Sequence, residues 1–210
     1  MPRFACLALL SLTLLPAAVC LAAPQVAVPV CATPPVMDGA LSPGEWDAAC
    51  GPGGFTLPDG TAAPVQAELF LTHDASALYI GARLPMPQGR RPRTAVTERD
   101  GAAWTDDAFE IFLDPTGKRG SYFQLIVTAA GVQYDAIRMD AGFNAAWTAQ
   151  THIAADGWTL EVAVPFAALK ADPPTDGQSW AANFAWDCTA PGQRGGSWSP
   201  MPSGLHQPAA

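Results

Sequence analysis

Short segments in which apolar and polar residues alternate, each broken by turn-forming residues before it reaches helix length, recur from Val65 to Cys188. Val65, Ala67, Leu69 and Leu71 alternate with Gln66, Glu68, Phe70 and Thr72. Side chains two apart share a face of a strand, so this period predicts a half-buried strand. The turn His73-Asp74-Ala75-Ser76 separates it from a partner over Leu78 to Leu84, a hairpin pattern. Tyr122 to Thr128, Val132 to Ile137, Trp147 to Ile153, Trp158 to Val164 and Asn183 to Cys188 repeat the pattern. Their separators are Ala129-Ala130-Gly131, Asp140 to Asn144 and Ala154-Ala155-Asp156-Gly157, and Phe166 to Leu169 after Pro165 suits one helical turn. Upstream, Pro24 to Pro35 reads as an extended leader and first strand. Ser42-Pro43-Gly44-Glu45 reads as the start of a short helical turn carrying Leu41 and Trp46 under the core. About eight short strands with no long amphipathic helix predict an all-β, antiparallel β-sandwich of jelly-roll type.

One segment, Ala103 to Pro115, carries more than strand periodicity. Extended geometry puts Phe109, Ile111 and Leu113 on a core face. Trp104, Asp106, Glu110 and Phe112 then share the other. A face of rings and carboxylates is what stacking on, and hydrogen bonding to, a polar ligand requires. Asp107 has the parity of the core face, so a hydrogen-bonded structural role at the strand entrance is expected of it. Residues 85–103, rich in Pro and Arg, lead into this segment and are expected to form a ligand-site rim. Their arginines, Arg90, Arg91, Arg93 and Arg99, read as a solvated cluster.

Residues 1–23 have the order of a secretory signal: Arg3, an apolar run from Phe4 to Leu15, then Leu21-Ala22-Ala23. Cleavage near Ala23 and export to the periplasm or the exterior are expected, with residues 24–210 as one domain and no membrane association after cleavage. A lipid anchor at Cys20 competes, although Val19 stands where a small residue is normally cleaved. Removal of Arg3 leaves 10 basic against 19 acidic residues, a surface unsuited to nucleic acid. Three cysteines would remain, and Cys31 with Cys50 is the favoured disulfide, leaving Cys188 as a buried thiol.

Nothing in the chain marks an enzyme. Nucleophile elbows, His-Glu-x-x-His and phosphate loops are absent from the sequence. Asp106 and Glu110, four apart in an extended segment, would lie about 13 Å apart, too far to flank a glycosidic bond unless the chain bends; a partner carboxylate from another strand, such as Asp135 or Glu161, leaves a glycoside hydrolase or an accessory module of one as the alternative. His73, His152 and His206 have no metal-ligand spacing, and the rings of Trp46, Trp158 and Trp180 read as core.

Asp38-Gly39-Ala40-Leu41 with Glu45-Trp46, Leu78-Tyr79-Ile80, Trp104 to Asp114, Gly157-Trp158 to Glu161, and Val164-Pro165-Phe166 with Leu169 follow one another in an order that resembles the family 9 carbohydrate-binding modules and their wider sugar-binding-like superfamily. The likeness runs from about Val36 to Ser199. It implies a non-catalytic β-sandwich active in polysaccharide catabolism, holding a mono-, oligo- or polysaccharide between two tryptophans, with structural calcium. Trp104 matches the first tryptophan and Glu110 its polar neighbour, while Ile126 stands where an arginine is expected on the next strand. The candidate ligand residues are Trp104, Glu110, Asp106, Gln124 and Trp198. A relative without sugar affinity, serving as a haem carrier through Met86, Met139 or Met201 or as a protein-interaction domain, is the alternative.

Overall fold

The computed structural model describes residues 24–86, 90–190 and 195–206, so the expected leader, residues 1–23, lies outside the described residues. Among the described residues, eight strands form two four-stranded antiparallel sheets. The first has the order β1 (Glu68–His73), β2 (Ala77–Pro85), β7 (Gly157–Pro165), β6 (Thr148–Ile153). The second has the order β5 (Gln133–Ile137), β4 (Phe123–Thr128), β3 (Ala108–Asp114), β8 (Ala181–Asp187). Single 3-10 turns at Ala103–Thr105 and Phe166–Leu169 complete the regular structure. Among the described residues, no helix is long and apolar enough to cross a membrane.

The alternation in the sequence is the cause of the sandwich. Leu78, Ile80, Ala82 and Leu84 of β2 and Trp158, Leu160, Val162 and Val164 of β7 point inward from the first sheet. Phe109, Ile111, Leu113, Leu125, Val127, Phe184 and Trp186 meet them from the second. Most of these side chains have almost no exposed surface, and each contributes ~1.5–3 kcal/mol by burial.

The outer face of the first sheet is closed by a device built from the residues that carried the family resemblance. Glu161 accepts hydrogen bonds at 2.9 Å from the backbone N–H groups of Asp38 and Gly39 and from the Trp46 indole. Burial raises the Glu161 carboxyl above its ordinary value, and these three donors pull it back. Gly39 has φ +89°, and a Cβ there would stand 2.7 Å from the Thr151 backbone. Gly81 leaves room for Trp46, whose ring atoms would lie 3.1 Å from an added Cβ. Trp46 therefore covers the outer face of the first sheet instead of entering the core between the sheets.

Three expectations are corrected. Residues 42–46 form hydrogen-bonded turns and no helical turn, because Gly44 sits at φ +92°, a conformation outside the right-handed helix. The N-terminal segment makes one parallel bridge, Val30 to His73, in place of a strand; proline at 29, 34 and 35 removes the donors a ladder needs. Cys31 and Cys50 are not bonded to each other, and Cys188 is also free. Cys31 packs with Trp46 and Tyr79 on the outside of the first sheet, whereas Cys50 packs against the core between the sheets. Two thiols on opposite faces of a sheet cannot meet disulfide geometry.

Candidate ligand-binding site

The outer face of the second sheet is the opposite case, since it buries polar groups. Antiparallel register places Glu110 opposite Ile126 and Ala185, Ile126 opposite Tyr134, and Phe112 opposite Gln124 and Asn183. Glu110, Gln124 and Phe112 thus share this face with Tyr134 and Ala136. Glu110 retains 3 % of its surface and Gln124 4 %, and the Gln124 amide donates to Glu110 Oε2 at 2.7 Å.

Trp104 stands at the rim of this face. The strand starts only at Ala108, so Trp104 is placed by the preceding 3-10 turn and not by strand parity. Ala103 and Ala108 anchor that turn in a small apolar cluster with Ile126, Tyr134 and Ala136. The Trp104 ring meets Tyr134 edge to face, centroids 5.5 Å apart at 84°, and keeps 51 % of its surface in solvent. An indole held from beneath and open on its other face is a stacking platform.

The two aspartates before the strand hold the rim. Asp106, fully buried, accepts from Arg93 Nε at 3.1 Å and the Val96 N–H at 2.7 Å. Asp107 accepts from the Arg93 N–H at 2.6 Å and from the Thr189 N–H and hydroxyl at 3.0 and 2.7 Å. The structural role expected of Asp107 is the one observed. All four arginines of this stretch are exposed, as expected of a solvated cluster, and Arg93 and Arg99 in addition each reach a buried carboxylate. Arg99 pairs with Asp135, and it donates to Gln133 at 3.0 Å and to the Ala145 carbonyl at 3.3 Å.

A second group of rings lies further along the same face. Phe112 packs edge to face on Tyr122 at 5.7 Å, and His206 lies 6.2 Å from Phe112 and 6.1 Å from Tyr122 between centroids. The Tyr122 hydroxyl and His206 Nδ1 are 2.7 Å apart. Burial pushes the Tyr122 and Tyr134 phenols up; at Tyr122 the charge of Arg138 works against it and that of Glu110 with it, and at Tyr134 the negative charges of Asp100, Glu110 and Asp135 add to it. A groove of about 880 Å³ continues from Phe112, Tyr122 and Leu205 toward Trp180 and Val26.

Of the five candidate residues, Trp104, Glu110 and Gln124 are brought to this face. Asp106 faces Arg93 and Val96 with no exposed surface. Trp198 belongs to the core between the sheets, 8 % exposed, its ring 6.0 Å from Phe184. The cause is again alternation: Ser197 bridges Ala185 and takes its outward parity, so the next side chain points inward. Trp147 and Trp186 are also core. Tyr122, Tyr134 and His206 were not among the candidates from sequence; Tyr134 had alternation as its only signal, and it became informative once the strand partners were known. Among the described residues no three His, Cys, Asp or Glu side chains group as a metal site, so the structure supplies no ligand set for the expected calcium.

A two-sheet antiparallel sandwich with an open indole and a hydrogen-bonding carboxylate and amide on one face has the form of a carbohydrate-binding domain. The family model described as "carbohydrate family 9 binding domain-like" matches residues 37–198, and the chain belongs to that family, a class of typically non-catalytic modules. Similar solved structures include a family 9 carbohydrate-binding module from Caldicellulosiruptor kristjanssonii in complex with cellotriose. It is 16 % identical, with TM-score 0.57 over 83 % of this chain and 89 % of that one. The glucose complex of a family 9 module from the same organism is 18 % identical, with TM-score 0.59 over 83 % and 91 %. A Bacteroides uniformis protein proposed to bind carbohydrate is 17 % identical, with TM-score 0.65 over 87 % and 93 %. No curated protein matches the chain.

Proposed function

We propose that this chain is an exported, non-catalytic protein that binds a glucose-type mono-, oligo- or polysaccharide on the outer face of its second sheet. The half-exposed Trp104 ring carries the reading, because an indole braced by Tyr134 and left open has the shape to stack on the C–H face of a pyranose. Glu110 and Gln124 form the polar floor beside it, and Phe112, Tyr122 and His206 form the second wall where a second tryptophan is missing. The glucose and cellotriose complexes of family 9 modules support the ligand class. Export is supported by the signal-like order of residues 1–23.

Calorimetric titration of the mature protein with glucose and cellotriose tests this. Trp104→Ala should weaken binding about tenfold to a hundredfold, the scale of aromatic truncations at interfaces, with the melting temperature almost unchanged. A large fall in melting temperature with affinity retained would remove Trp104 from the site.

A further inference from the structure

The groove beyond Phe112 and Tyr122 is larger than a single sugar needs. Its volume, about 880 Å³, falls in the range of small-molecule sites. It takes in Phe112 and Tyr122, already assigned to the second wall of the sugar site, and runs past Asn183 to Gln178 and Trp180. The outward row of β3 leads into it: Glu110, Phe112 and Asp114 together span about 13 Å of extended chain, more than one pyranose ring covers.

Both banks of the groove are fixed by the fold itself. On one side the Asn183 amide donates to the Ser199 carbonyl at 3.2 Å and accepts from the Ser199 N–H at 2.9 Å, which pins the segment after residue 197 to β8. On the other, Asp114 accepts from the Thr116 N–H and hydroxyl at 2.9 and 2.7 Å and from the Arg119 N–H at 2.7 Å, and so folds the turn between β3 and β4. Gly117 lets that turn close on the neighbouring segment, since it has φ +65° and an added Cβ would stand 2.9 Å from the Ser179 carbonyl oxygen. Gln178 and Trp180, on either side of Ser179, are thereby held beside the end of β3. A groove built in advance in this way has little ordering cost on binding.

Rings and available polar groups alternate along it. The Trp180 ring rests edge to face on Phe166, centroids 5.7 Å apart. Gln178 is exposed; its Oε1 accepts from the Thr175 N–H at 3.1 Å, and its Nε2 has no partner among the described residues. His206 spends Nδ1 on the Tyr122 hydroxyl, and its Nε2 is likewise without a partner among the described residues. Ring faces with free hydrogen-bonding groups between them suit a long polyhydroxylated chain, and continuity with the Trp104 face decides the occupant.

We propose that this groove is the second part of the sugar site, and that the ligand is a chain of several glucose-type units. One unit stacks on Trp104, and those beyond it lie past Phe112, Tyr122 and Asn183 to Gln178 and Trp180. The inference rests on the sugar-binding reading above.

The test is calorimetric titration of the mature protein with glucose, cellotriose and cellopentaose. Indole N–H signals are followed in parallel by nitrogen-15 NMR, the Trp180 signal being identified by its absence in Trp180→Phe. Affinity should rise about fivefold or more for each unit that gains a ring contact, and the Trp180 signal should shift with cellopentaose and stay in place with glucose. Gln178→Ala should shrink the gain from glucose to cellopentaose about two- to tenfold, the scale of one lost hydrogen bond. Equal affinity for glucose and cellopentaose, with the Trp180 signal unmoved by either, overturns the groove and leaves the Trp104 site standing. A gain with chain length that neither moves the Trp180 signal nor responds to Gln178→Ala places the chain elsewhere and also overturns the groove. Absence of binding by all three sugars overturns the sugar reading and the groove with it.

Discussion

Asp107 and Trp104, three residues apart, illustrate opposite uses of a side chain. The Asp107 carboxylate joins the loop at Arg93 to Thr189 through three hydrogen bonds, while Trp104 spends half its surface on solvent. Asp107→Ala should therefore destabilise the protein by about 2–4 kcal/mol, the scale for breaking a buried hydrogen-bond network and leaving its donors unmet, as read from denaturant midpoints. Trp104→Ala should leave those midpoints nearly unmoved. Glu110→Gln should weaken sugar binding less than Trp104→Ala in the same titration, because the amide keeps one acceptor and the shape. At Gly39 the constraint is backbone: Gly39→Ala places a methyl 2.7 Å from Thr151 on a φ of +89°. It should lower stability by more than about 1 kcal/mol, checked by the same midpoints.

Among the elements, the β1–β2 hairpin depends on its turn. Burial alone would raise the Asp74 carboxyl, but hydrogen bonds from the Ser76 N–H and hydroxyl, the Ala77 N–H and the Tyr79 hydroxyl outweigh it and lower the carboxyl to about 2. A carboxyl depressed in the folded state contributes stability that is present above its unfolded value of 3.8 and is lost as pH falls through about 2. Thermal melts in that acid window should show a steeper loss for wild type than for Asp74→Asn, which lacks the titrating group. The hairpin itself was legible in the sequence, since a turn tetrapeptide between two alternating runs is a local signal. The 3-10 turn under Trp104 was not, because its stability comes from Ala103 packing against Ile126 and Tyr134 of other strands.

On the scale of the whole molecule, the sandwich places its thiols on different faces, so denaturation without reductant should release three alkylatable cysteines, Cys31, Cys50 and Cys188, from protein lacking residues 1–23. A mass shift for a single thiol would contradict the structure. The sequence by itself determined the strands and their inward rows, because period-two alternation is a property of the chain at short range and burial follows it directly. It also singled out Trp104, Glu110 and Gln124. Only the tertiary structure decided which outward rows meet. Register across β3, β4 and β5 set Gln124 beside Glu110 and brought Tyr134 beneath Trp104. The bridge of Ser197 to Ala185 turned Trp198 into the core, and the two faces of the first sheet separated Cys31 from Cys50. These outcomes depend on strand pairing between residues far apart in the chain, and alternation names the face of a residue within its own strand without naming its neighbours across the sheet.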